Sequence, residues 1–134
     1  PNLACRYFTH STETIIWAGK HPKSKHLFNY DLMKEINGGK QMKDVWTMTA
    51  PGKNEKEHGK HPTQKPIELL QRLIMAATNE GDLVLDAFNG SGTTGVACIE
   101  TNRKYIGIEL DKEYVSLSKK RFKSKEKEIK NQLL

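Results

Sequence analysis

The sequence predicts an α/β fold on a mostly parallel sheet, and three stretches predict it. "DLVLDAF" (82–88) is a short, almost wholly apolar run of the kind found in a strand buried on both faces of a parallel sheet. "GSGTTG" (90–95) follows at once, a glycine turn opening a helix, and "KYIGIE" (104–109) is a second strand. Strand, helix and strand make a β-α-β unit over residues 82 to 109, and strands joined through such a crossover lie parallel. At 134 residues, 36% hydrophobic and 28% charged, the chain has the size and composition of one globular domain.

Taken in order, "TETIIWAGK" has the apolar, β-branched content of a strand from Thr14 to Ala18. "NYDLMKEI" predicts a short helix from Asn29 to Ile36, ended by Asn37, Gly38 and Gly39, which accept positive φ readily. At "HPTQKPIELLQRLIMAATNEGD" a helix is expected to start near Thr63 or Gln64, with Thr63 as cap and Pro66 in the first turn, and to stop at Gly81. Ile67, Leu70 and Ile74, flanked by Leu69 and Leu73, recur at helical spacing in it. Thr93 to Thr101 is the crossover helix. Asp111 caps a last helix whose apolar face is Tyr114, Val115, Leu117 and Phe122. With three or four strands in all, the sheet is expected to be incomplete in this chain, with edges left for neighbouring strands to cover.

The balance of 22 Lys+Arg against 16 Asp+Glu, a net charge of +6, favours a polyanionic partner. Five lysines fall within residues 38–60, a polar, glycine-containing loop with Trp46 at its middle. The lysine-rich tail from Lys119 to Lys130 continues a helical pattern and alternates with Glu126 and Glu128, as a solvated helix face does. No apolar run is long enough to cross a bilayer and the first residues lack a secretory pattern, so a cytoplasmic protein is expected. Cys5 and Cys98 form neither a disulfide framework nor a metal pair, and His58 with His61 lacks the further ligands of a tetrahedral metal site.

The glycine turn carries the chemistry. A strand turning tightly into a helix offers free amides and the positive end of the helix dipole. For a dinucleotide, the strand runs almost directly into the first glycine. Here Asp86 stands four residues ahead of Gly90, where its carboxylate repels a pyrophosphate and attracts a cationic ligand. A phosphate-binding P-loop is excluded by the lack of its lysine. Glu109 ends the second strand 23 positions after Asp86, near the spacing at which nucleotide folds place the acid that binds ribose hydroxyls. A ribose and a cation together describe S-adenosylmethionine (AdoMet).

"HPTQKP" (61–66), "LDAFNGSGTT" (85–94) and "YIGIEL" (105–110), in that order, resemble the beta-group DNA amino-methyltransferases. The resemblance covers nearly the whole chain and implies a Rossmann-like AdoMet-dependent methyltransferase sheet. It implies that Thr63, Gln64, Lys65 and Pro66 open a helix lining the methionine end of the cofactor. It places Asp86, Phe88, Gly90, Ser91, Gly92, Thr93 and Thr94 in the turn beneath that end, and gives Glu109 the ribose. Ala87 departs from the proline common there, which implies looser preorganisation without loss of binding. Residues 1–37 then precede the target-recognition region, 38–60 belong to it, with Lys40, Lys43 and Trp46 toward DNA, and 61–134 bind AdoMet.

One block of that family is missing. Its catalytic D/N/S-PP-Y/F/W segment, which holds the amino group of a flipped-out base, does not occur, so no catalytic residue is assigned. The chain is expected to be the C-terminal part of a longer enzyme and inactive alone. The resemblance favours adenine of double-stranded DNA as target and a restriction-modification context. The alternatives are the exocyclic amino group of cytosine, or an AdoMet- and DNA-binding subunit completed in trans; a weaker one is an NAD-binding fragment.

Overall fold

A computed structural model describes residues 6 and 8–132, so Cys5 lies outside the described residues. The elements run α1 (Tyr30–Ile36), a single 3-10 turn (Asn54–Lys56), α2 (Ile67–Ala77), β1 (Leu83–Asp86), α3 (Thr93–Glu100), β2 (Lys104–Gly107) and α4 (Lys112–Gln132). β1 and β2 pair in parallel, Leu83 opposite Lys104 through Asp86 opposite Gly107.

α3 crosses between the strands and packs on one sheet face, where Ile74, Ala97 and Cys98 form a buried core with Ile67, Leu70, Val84 and Tyr105 packed around it. The opposite face is bare: Leu83, Leu85 and Ile106 are 58%, 62% and 49% exposed. The expectation that the first strand is buried on both faces is therefore corrected to one face, because no element among the described residues covers the other.

The strand expected from Thr14 to Ala18 does not form either. This stretch is exposed and makes no ladder, since a strand needs a neighbour and the only sheet among the described residues has two strands. Three or four strands thus reduce to two. The second strand ends at Gly107 rather than Glu109, although Ile108 still donates its N–H to the Asp86 carbonyl (2.8 Å).

The start of α2 is also corrected. Pro66 holds the N-cap position with an extended backbone (φ −60°, ψ 141°), so the helix begins at Ile67, not near Thr63. The cap comes from far along the chain: Glu55 accepts the Ile67 N–H through Oε2 at 2.9 Å. Thr63 instead directs its N–H and hydroxyl to His61 Nδ1. At the other end the helix stops at Ala77, before Gly81, and Asn29 closes it. The Asn29 side-chain amide donates to the carbonyls of Met75 (2.8 Å) and Thr78 (2.9 Å), which ties α1 to α2.

α1 ends at Ile36 with Asn37 as its C-cap, and Gly38 and Gly39 follow with φ of 65° and 80°, as the sequence predicts. Asp111 Oδ1 accepts the Glu113 N–H (2.7 Å) and caps α4 as expected.

Candidate functional site

The turn between β1 and α3 lies at the carboxyl edge of the parallel pair, and side chains from four directions hold it. From β1, the Asp86 carboxylate accepts the Phe88 N–H (3.0 Å) and the Thr94 hydroxyl (2.6 Å). From beyond β2, Glu109 accepts the Gly90 N–H through Oε2 (2.7 Å) and the Asp111 N–H through Oε1 (2.9 Å). These amides, with that of Leu110 and the nearby His61, hold its carboxyl below the usual carboxylate range against a smaller desolvation effect. Both acids read from the sequence thus converge on the same loop and bind its backbone and hydroxyl groups.

From α4, Arg121 donates through Nη1 to the Ser91 carbonyl (2.8 Å), the Ser91 hydroxyl (3.0 Å) and the Thr93 hydroxyl (3.1 Å). From the loop before α2, the His61 ring lies against Tyr114 (4.3 Å between centroids), and a Cβ at Gly90 would sit 3.1 Å from its Nε2. The sequence reading missed Arg121. Its signal was present, because Arg121 falls seven residues after Tyr114 and next to Phe122, on the apolar stripe of the last helix.

The glycines answer to this packing. Gly92 has φ 78°, and a Cβ there would meet Ser118 Cβ at 2.6 Å. At Gly95, whose backbone is helical, a Cβ would lie 2.5 Å from the Phe122 ring and 2.7 Å from Tyr105. On the side where a side chain would project, these two glycines face α4 and the sheet; close approach by a ligand does not by itself account for them.

The "HPTQKP" residues separate into different environments. Gln64 is 8% exposed and donates its amide to the Glu55 carbonyl (2.9 Å), while its Oε1 has no partner among the described residues. Lys65 pairs with both oxygens of Glu13 (2.7 and 2.6 Å), which ties the extended N-terminal segment to the start of α2. Phe88 is 92% exposed at the rim of the turn, and Ser91, Gly92 and Thr93 are buried.

The loop residues lie elsewhere. Lys40 and Lys43 are exposed, whereas Trp46 is half-buried, donates its indole N–H to the Lys43 carbonyl (2.6 Å) and packs its ring on the Arg72 guanidinium of α2 at 4.8 Å. Among the described residues, no three His, Cys, Asp or Glu side chains gather as a metal site would require.

The chain matches the DNA methylase family of N6/N4 methyltransferases over residues 1–120. It is 60% identical over 125 residues to the type II methyltransferase M2.DpnII of Streptococcus pneumoniae, covering 92% of this chain and 47% of that one. To M2.LlaDCHI of Lactococcus lactis subsp. cremoris it is 62% identical over 122 residues, covering 90% and 45%. A crystal structure of an M1.HpyAVI–SAM complex superposes with a TM-score of 0.55 at 38% identity, covering 74% of this chain and 45% of that one. The chain spans about half the length of the curated relatives it matches.

Proposed function

The chain belongs to the DNA methylase family, and from that premise we propose that it is the AdoMet-binding portion, with part of the target-recognition region, of a type II DNA methyltransferase acting on the exocyclic amino group of adenine. The observation that carries the reading is the turn at residues 88–94, braced by Asp86 and Glu109 at the carboxyl edge of parallel strands, where open α/β sheets bind ligands.

The residues present suit AdoMet. The first amides of α3 have no acceptor within their own helix and suit a carboxylate. Gln64 Oε1, buried and unpartnered among the described residues, is an acceptor suited to an ammonium. Phe88 offers an exposed ring to apolar surface. Glu109 offers remaining acceptor capacity to ribose hydroxyls beside the bond it makes to Gly90. When bound, AdoMet supplies a methyl on a sulfonium, which the amino nitrogen of a flipped base displaces with no covalent enzyme intermediate.

The work assigned to this chain is positioning. Asp86 orders the turn through Thr94, Thr63 to Pro66 set the start of α2 beside it, and Ser91, Gly92 and Thr93 shape the floor. Lys40 and Lys43, exposed on the 38–60 loop, neutralise DNA phosphates, and Trp46 orients that loop against Arg72. The group that holds the target amino nitrogen comes from a segment outside these residues, in cis or in trans. A cytoplasmic setting, where host DNA is accessible, fits this role.

The test uses the complete protein. Calorimetry is run with AdoMet and with NAD, and a methylation reaction on double-stranded DNA is digested to nucleosides. AdoMet binding with N6-methyladenine as product is expected. N4-methylcytosine would move the target to cytosine, AdoMet binding without product would favour a subunit completed by another chain, and preferential NAD binding would sink the reading.

A further inference from the structure

Arg121 is 5% exposed, yet it forms no ion pair among the described residues. The carboxylates that face it, Glu55 before α2 and Glu100 at the end of α3, act on it at longer range, and burial works against its charge. Desolvating a buried cation of this kind is costly, and its hydrogen bonds are what offset that cost. What it does here is directional: every hydrogen bond it makes among the described residues goes to Ser91 or Thr93. α4 presses on the same turn beside it, through Ser118 and Phe122 at Gly92.

We propose that Arg121 is a positioning residue that sets the Ser91–Thr93 turn from beneath and places a positive charge under the α3 N-terminus, where the carboxylate of the AdoMet amino-acid end is held. This deepens the AdoMet reading and rests on it. Arg121 does not touch the ligand; its effect passes through the turn. It therefore bears on the amino-acid end and leaves the adenosine end, held through Glu109 and the sheet edge, unaffected. All three contacts run from Nη1, whose two protons are shared among the three acceptors; a lysine keeps the charge, but its shorter side chain and tetrahedral ammonium meet those acceptors differently.

The complete protein is titrated by calorimetry as wild type, Arg121→Met and Arg121→Lys, with AdoMet and with 5′-methylthioadenosine, which keeps the adenosine and lacks the amino-acid end. Arg121→Met is expected to weaken AdoMet about 10- to 100-fold and methylthioadenosine less than about 2-fold, as loss of charge-assisted bonds acting on one end of the ligand would. Arg121→Lys is expected to fall between. In the ligand-free protein, exchange of the hydrogen-bonded Gly92 and Val96 amides should accelerate in Arg121→Met while that of α2 stays unchanged. Equal weakening of both ligands, or faster exchange spread into α2, would make Arg121 a general fold residue and overturn the proposal. Unchanged AdoMet affinity would overturn it too. Should Arg121→Met not fold, Arg121→Lys carries the same comparison, since it preserves the buried charge. If wild type binds no AdoMet, the underlying reading fails along with the proposal; wild-type binding with an indifferent Arg121→Met removes only the role of Arg121.

Discussion

At the scale of single residues, Glu109 and Cys98 make opposite use of their surroundings. Glu109 receives the amides of Asp111, Gly90 and Leu110, which favour its charged form and depress its pKa. The stability it contributes is present above the unfolded carboxylate pKa of about 4.3 and is lost as pH falls through the lower folded value. Wild type should therefore lose protection of the Gly90 amide in acid, and Glu109→Gln should lack that part of the pH dependence; matching acid profiles would remove Glu109 as the brace of the turn. Cys98 is fully buried in the core, and desolvation pushes its thiol up to about 11, with Arg103 opposing and Asp86 adding. Alkylation at pH 8, located by peptide mass, should spare Cys98 in the folded protein and modify it in denaturant.

At the scale of elements, the join between α3 and α4 decides how close the helices come. Alanine at Gly95 gains about 1 kcal/mol of helix propensity over glycine. Its methyl would fall 2.5 Å from Phe122 and 2.7 Å from Tyr105, and Tyr105 is itself fixed through its hydroxyl to Asn89. Overpacking of this kind costs about 1 to 3 kcal/mol. Gly95→Ala should therefore be destabilising in urea unfolding despite its better propensity; an unchanged or higher midpoint would mean that α4 yields easily. The helices are otherwise stitched by Lys125, which bridges Glu100 (2.7 Å) on α3 to Glu128 (2.8 Å) on α4.

At the scale of the molecule, one sheet face is packed and the other is not. Leu83, Leu85, Ile106 and Ile108 expose 58%, 62%, 49% and 56% of their surface, and Phe88 and Leu110 stand at 92% and 97% beside the turn. Exposed apolar patches of this kind mark surfaces that other protein covers. Expressed as residues 1–134 alone, the chain should bind the dye ANS strongly and self-associate, and leucine-to-serine changes at 83 and 85 should reduce dye binding. A monodisperse, dye-silent wild-type chain would show that the face is stable in water.

The sequence by itself determined the β-α-β order, the glycine turn, the helix ended at Asn37 and the Asp111 cap, and it singled out Asp86 and Glu109 without showing that Glu109 reaches the Gly90 amide. These follow from hydrophobic period, turn chemistry and spacing, which act over a few residues. The same local signals misplaced the start of α2 and produced a strand at Thr14 to Ala18, because a cap from Glu55 and the presence of a ladder partner are decided by residues distant in the chain. Tertiary structure alone brought Arg121 under Ser91, His61 over Gly90 and Trp46 onto Arg72. It also showed that Gly92 and Gly95 make room for α4: a glycine reads the same in a sequence whether a ligand or a helix occupies the space beside it.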